Sequence, residues 1–237
     1  MLNIVTASWA AVGKWAVRES GDAVEVLQLG SGRVVGLIVD VQGAGSGASN
    51  TAWSLATLGG HLAGEGADAV TLSSMLNRAL WTRRGGRVQA GLGVVIWDPG
   101  LGVSCATYGS VLVTAPGASN HFQADPPPAG LDRDALPAGG VVVADQAPVV
   151  ICSDGIASTN DGLRALLGLD SEPLNAPAIL ARAVARDMGR PRNDMSVIVM
   201  TTSASEQTGP SIAGELRATR RSAISRRGAD HVVDPAV

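Results

Sequence analysis

Four acidic positions stand at the edges of apolar, strand-like runs. Asp22 opens Ala23 to Leu29, Asp40 closes Val34 to Val39, Asp154 closes Pro148 to Ser153, and the pair Asn193-Asp194 directly precedes Met195 to Met200. An isolated aspartate at a strand end ordinarily serves its own turn, bonding to nearby backbone. Four together admit a second reading. A hard divalent cation takes several oxygen ligands at once, and a layered sheet can carry distant strand ends to one rim. From spacing alone the metal reading is weak. Nucleophilic alternatives have less to offer: Cys105 and Cys152 lie inside apolar runs with no histidine beside them in sequence. His61, His121 and His231 lie outside the acidic segments and read as structural or surface residues.

The elements that must position these residues follow from periodicity. Leu2 to Trp9 reads as a strand; Ala23 to Leu29 alternates apolar and polar; Val34 to Val39 is continuously apolar, and Gly30-Ser31-Gly32 between the last two signals a hairpin. Beyond Asp40 a glycine-rich bend, Gly43 to Gly47, leads into a helix over Ser49 to Ala63. Leu72, Met75, Leu76, Ala79 and Leu80 mark one face of a second helix. Strand signals return at Gln89 to Trp97, Gly102 to Tyr108 and Val111 to Ala115. After a Pro-, Asp- and Gly-rich loop, Asp125 to Gly140, come strands at Val141 to Val143 and Pro148 to Ser153. Helices near Asp161 to Leu167 and Ala176 to Met188, the second N-capped by Asn175, precede the strand Met195 to Met200. Strand runs joined by short turns, interrupted twice by helix pairs, predict an α/β fold: a layered sandwich of mostly antiparallel sheets with helices outside.

Composition bounds the rest. The 237 residues suit one domain, residues 1–201, with a polar tail over 202–237 that carries Arg217, Arg220, Arg221, Arg226 and Arg227. Aromatic residues are 3% and glycines number 30, so small side chains must do much of the packing. A net charge of −3 gives no general attraction to nucleic acid or an anionic membrane. Two cysteines, no signal-peptide pattern and no membrane-length apolar run predict a soluble, cytoplasmic protein.

Ordered motifs sharpen the acidic set. The segment Gly36 to Gly45, with Asp40-Val41-Gln42-Gly43-Ala44-Gly45 at its end, resembles the Gly-Asp-Val-x-Gly-x-Gly signature of metal-dependent protein phosphatases of the type 2C superfamily, particularly the bacterial branch typified by the stage II sporulation phosphatase. Ser20-Gly21-Asp22 is similar to the upstream Gly-Asp element of that branch, Val150 to Gly155 to its Ser-Asp-Gly motif, and Asn193 to Val199 to its closing motif. Each block is common by chance; the four in order span residues 20 to 199.

That resemblance implies a four-layer α-β-β-α sandwich with two Mn²⁺ or Mg²⁺ ions at one rim. Asp40 would bridge both ions and the Val41 carbonyl would bind one. Asp154 and the residue at 193 would complete one ion's shell, and Asp22 would serve the other. It further implies hydrolysis of phosphoserine or phosphothreonine by a metal-activated water, with Asp40 and Asp154 as the catalytic pair. A phosphorylated regulatory protein, such as an anti-sigma antagonist or a stressosome-like protein, would be the partner. Two positions depart from the pattern. Asn193 stands where the family has aspartate, leaving Asn193 and Asp194 both open as the ligand, and Ala44 replaces a histidine or asparagine. Arg18 stands upstream of Asp22, where relatives place a phosphate-gripping arginine; an exposed strand-edge arginine is the alternative.

Rival readings are fewer. Gly43 to Ala48 satisfies G-x-G-x-x-A, but the acidic partner a dinucleotide site needs, Glu65, falls between two helices. A P-loop is excluded because Lys14, the only lysine, lies in no such loop. The same phosphatase fold kept as a protein-binding module, with Asn193 marking a weakened metal site, is the non-enzymatic alternative.

Overall fold

The computed structural model describes residues 2–99, 101–115, 126–142, 148–167, 175–205 and 219–220. His121, His231 and all the tail arginines except Arg220 lie outside that set.

Hydrophobic pattern and turn chemistry account for the elements. The first strand, β1, is Leu2–Val12; β2 (Asp22–Gln28) and β3 (Val34–Val41) form the expected hairpin. Helix α1 (Ser46–Gly64) begins three residues earlier than predicted, immediately after Gly45, whose φ of +86 suits glycine. Helix α2 (Ala69–Arg84) is capped by Asp68, whose side chain accepts the Thr71 N–H, and ends at the left-handed Gly85. Leu72, Leu76 and Leu80 are its buried stripe, while Met75 is exposed. Strands β4 (Ala90–Asp98), β5 (Gly102–Tyr108), β6 (Leu112–Thr114), β7 (Ala138–Val142) and β8 (Val149–Cys152) follow. Helix α3 is Asn160–Leu167, and α4 is Ala176–Arg186, with the Asn175 side chain accepting the Ala178 N–H as expected of its cap. Helix α4 stops two residues short of the predicted Met188, because Met188 and Gly189 turn left-handed at φ +54 and +74. Strand β9 runs over Met195–Ser205, longer than expected, and β10 is Thr219–Arg220.

Two five-stranded sheets result, ordered β2-β3-β4-β5-β7 and β10-β1-β9-β8-β6. Among the described residues every pairing is antiparallel except the short parallel contact of β1 with β10. Side chains alternate between two buried layers on the inner strands, which explains why these read as unbroken apolar runs. On β3, Val35, Leu37 and Val39 pack beneath α1 and α2, whereas Val34 and Ile38 face the second sheet. On β9, Val197 and Val199 pack beneath α3 and α4, and Ile198 and Met200 face inward. Three apolar layers therefore separate four structural ones, the predicted α-β-β-α sandwich. Gly93 lets the sheets close: a Cβ there would lie 2.5 Å from Val111 Cγ1 and 2.8 Å from Ile151 Cγ2. No helix among the described residues is long and apolar enough to cross a membrane.

Candidate metal centre

Strand register decides which acidic residues meet. In the β2–β3 hairpin Asp22 lies directly opposite Asp40. Both stand at the end of their sheet that faces the β8–α3 turn and the start of β9. Asp22 is 6% exposed. Its Oδ2 accepts the Ser196 hydroxyl at 2.6 Å, a bond that crosses from one sheet to the other, and its Oδ1 is buried without a hydrogen-bond partner. Burial, then the charge of Asp40, pushes the Asp22 carboxyl well above the usual carboxylate range. Asp40 is raised to about 6, first by burial and then by the charge of Asp154.

Asp154 follows β8 in the turn Ser153-Asp154-Gly155. Its Oδ1 accepts the Asn193 amide N–H at 2.5 Å, and burial raises its carboxyl, an effect that this bond opposes. The turn is held from three sides. Ser153 N–H donates to the Ser196 carbonyl at 2.9 Å, and Ser196 N–H returns a bond to Ser153 Oγ at 2.9 Å. From α4 the Arg186 guanidinium donates to the carbonyls of Ile156 (2.7 Å) and Gly155 (2.9 Å). Gly155 admits no side chain, since a Cβ would fall 1.9 Å from the Asp194 carbonyl oxygen.

Asn193 and Asp194 have separate surroundings. Asn193 is exposed and faces Asp154. Asp194 is buried, and its two carboxylate oxygens accept the backbone N–H groups of Lys14 and Gly21, each at 2.6 Å. It thus closes the two ends of the β1–β2 connector onto β9. Val41 N–H donates to the Gly21 carbonyl at 3.0 Å, so the Val41 main chain lies beside the same connector. Arg18 is exposed on this connector, between the two clamped ends.

Comparison with protein-family models finds no match, and comparison with curated proteins finds none. Solved structures do match. The phosphatase domain with a fragment of the regulatory domain of the cell-fate determinant SpoIIE from Bacillus subtilis superposes with a TM-score of 0.71 at 19% identity, covering 87% of this chain and 65% of that one. Serine/threonine phosphatase Stp1 from Staphylococcus aureus gives 0.68 at 9% identity, over 84% of this chain and 95% of its own. The catalytic domain of the serine/threonine protein phosphatase PstP, in complex with two manganese ions, gives 0.64 at 12% identity, over 85% and 100%. The chain has the PP2C fold.

On that PP2C scaffold the sequence-derived residues Asp22, Asp40, Val41, Asp154, Asn193 and Asp194 gather around one rim of the sandwich. As they stand, no three His, Cys, Asp or Glu side chains among the described residues converge on an ion-sized point. Like carboxylates repel, which keeps these groups apart. Two observations nonetheless fit a hard cation. A buried carboxylate oxygen of Asp22 lacks a partner. Among the described residues no Lys or Arg side chain forms an ion pair with Asp22, Asp40, Asp154 or Asp194. Clustered, partly dehydrated acid groups without a positive partner are what divalent ions compensate.

Sequence reasoning missed the supports: Ser196 on Asp22, Arg186 on the Asp154 turn, and Asp194 as a clamp. Ser196 lies within a quoted motif, so it was legible in principle. Arg186 carries no local signal, because its carbonyl partners lie about thirty residues upstream.

Proposed function

We propose that the chain is a metal-dependent protein serine/threonine phosphatase, hydrolysing phosphoserine or phosphothreonine on a regulatory protein with two Mn²⁺ or Mg²⁺ ions. The observation that carries this reading is the joining, at one rim of a PP2C fold, of Asp22 and Asp40 from one sheet with Asp154 and Asn193 beside the other. PstP was solved with two manganese ions and RsbX, also of this fold, with magnesium. Asp22, Asp40, Asp154, the Val41 carbonyl and the residue at 193 would hold these ions. When bound, such ions acidify water and neutralise phosphoryl charge.

The chain's own groups do the positioning. Ser196 fixes the rotamer of Asp22, Arg186 fixes the backbone that carries Asp154, and Asp194 fixes the connector that carries Arg18. Arg18 is the proposed grip on the phosphoryl oxygens, a bidentate task suited to a guanidinium. No protein nucleophile is required, and the two thiols are poorly suited to be one: burial pushes Cys105 and Cys152 up to about 12.

The test is turnover of a phosphoserine peptide with Mn²⁺ or Mg²⁺, abolished by EDTA and reduced about 100-fold or more in Asp40→Asn, since a lost ligand charge forfeits several kcal/mol. Full activity in EDTA would refute the reading. One observation favours the alternative of a protein-binding module: position 193 offers a neutral amide, already bonded to Asp154. Absence of metal-dependent turnover even on an aryl phosphate would select that alternative.

A further inference from the structure

Beside the acidic rim the surface changes character. The β1–β2 connector and the loop from α4 to β9 are joined there: Asp194 holds Lys14, and Trp15 N–H donates to the Pro191 carbonyl at 2.9 Å. Side chains stacked on this joint point outward. Trp15 is 59% exposed, with the Arg190 guanidinium 5.7 Å from its ring centroid, and Met188 is 83% exposed. Lys14 and Arg18 on the connector, and Arg190 and Arg192 on the loop, are exposed. Against these stand Glu19 and two carboxylates already engaged: Asp194, buried on the Lys14 and Gly21 N–H groups, and Asp187, held within its own loop by Arg186 Nε and Arg192 N–H, both at 3.1 Å. This cationic surplus belongs to a chain whose net charge is −3. Ala16 and Met188, the non-glycine residues in the left-handed region among the described residues, lie on these two segments at φ +64 and +54. Such conformations persist where surrounding contacts hold them.

We infer that this shelf, centred on the Trp15–Arg190 stack, is a docking surface for an acidic segment of the phosphoprotein substrate, a few residues from the phosphoserine. The inference rests on the phosphatase reading and adds the sequence preference to it. Charge complementarity selects the occupant. A carboxylate-rich segment would be repelled by the rim itself but attracted by the four cations beside it. Exposed tryptophan and arginine, stacked on each other, are the residue types that anchor interfaces. Reach agrees with this placement. Arg190 precedes Asn193 by three residues, so it lies within about 11 Å of the rim along the chain, which an extended peptide spans in three to four residues.

The experiment compares two phosphoserine peptides, one with Asp and Glu flanking the phosphoserine and one with Ser and Gly. The proteins are wild type, Trp15→Ala and Arg190→Glu, full chain with Mn²⁺. The ratio of kcat/KM on the acidic peptide to that on an aryl phosphate is expected to fall at least tenfold in each variant, through KM, with little change on the neutral peptide. The acidic preference should also shrink between low and high salt. Equal wild-type kcat/KM on the two peptides, or variants that keep the wild-type ratio, would overturn the docking surface while leaving the phosphatase reading intact. Should no protein turn over any substrate, the phosphatase reading fails by itself. The docking surface is then decided by fluorescence-anisotropy titration of the labelled peptides, where tighter binding of the acidic one, weakened tenfold in the variants, supports it. Preferential binding of an oligonucleotide or of anionic vesicles over the acidic peptide would overturn it in favour of a different partner.

Discussion

Asn193→Asp reverses sign with metal, which makes it a sharp test of the rim. The Asn193 amide donates to Asp154 Oδ1 at 2.5 Å; substitution removes the donor and places two carboxylates face to face. Two unit charges about 4 Å apart interact by about 1 kcal/mol in water and about 4 kcal/mol at an effective dielectric of about 20. Asn193 is exposed and Asp154 half-buried, so the lower part of that range, about 1–2 kcal/mol, applies. In EDTA the variant should melt roughly 2–8 °C below wild type. With Mn²⁺ the new carboxylate becomes an attraction worth on the order of 1–3 kcal/mol, so the half-saturating concentration should fall roughly 5- to 150-fold. Asp194→Ala is the contrasting variant. It strips the acceptor from the Lys14 and Gly21 N–H groups, each costing about 1–3 kcal/mol, and should lower the melting temperature with and without metal. Thermal melts in EDTA and calorimetric Mn²⁺ titrations measure both. If Asn193→Asp changes neither the metal-free melting temperature nor the Mn²⁺ requirement, Asn193 does not stand at the ligand corner.

Asp22 and Asp40 hold their protons more tightly folded than unfolded, Asp40 up to about 6. The folded state therefore binds more protons between the ordinary carboxylate pKa and about 6, and stability in EDTA should fall as pH rises through that window. Mn²⁺ affinity should weaken as pH drops below about 6, because protons compete for the same oxygens; pH-dependent melts and titrations check both. Cys105 and Cys152 should resist a thiol reagent at pH 8 until denaturant is added, since both are wholly buried; rapid native labelling would contradict that. Ending the chain at Thr201 removes the β9 partners of Leu2 to Val5 and should lower the melting temperature, whereas ending it at Ser205 keeps that ladder; melts of both truncations decide this.

Much of the scaffold was readable because period and burial agree. The run Val34 to Val39 is apolar throughout since each face meets a different core layer, and the helix stripe at Leu72, Leu76 and Leu80 lies against one sheet. Elements that rely on distant partners were not readable. Strand β7 begins at Ala138, inside a stretch whose Pro and Gly content reads as loop; there β5 supplies the ladder, and Gly139 fits beneath α2, where a Cβ would lie 2.7 Å from Val70 Cγ2. Within the site, the four strand-end acids were visible as types and order. The division of labour between Asn193 and Asp194 was not, because the backbone groups that occupy Asp194 lie more than 170 residues away in sequence.

The rim is assembled half from one sheet and half from the other, and this makes it a vernier for how the two sheets are docked. Asp22 and Asp40 ride on one rigid plate, Asp154 and Asn193 on its neighbour, and the seam between them is tied by Ser196 on Asp22 and by Asp194 on the Gly21 N–H. A wedge anywhere in that seam displaces the plates as bodies. Gly93→Ala would drive a methyl group against Val111 and Ile151 without touching a single ligand, and the misfit would surface at the far edge as a widened gap between Asp40 and Asp154. Glycines hidden in the middle of the sandwich thus govern the spacing of charges at its mouth.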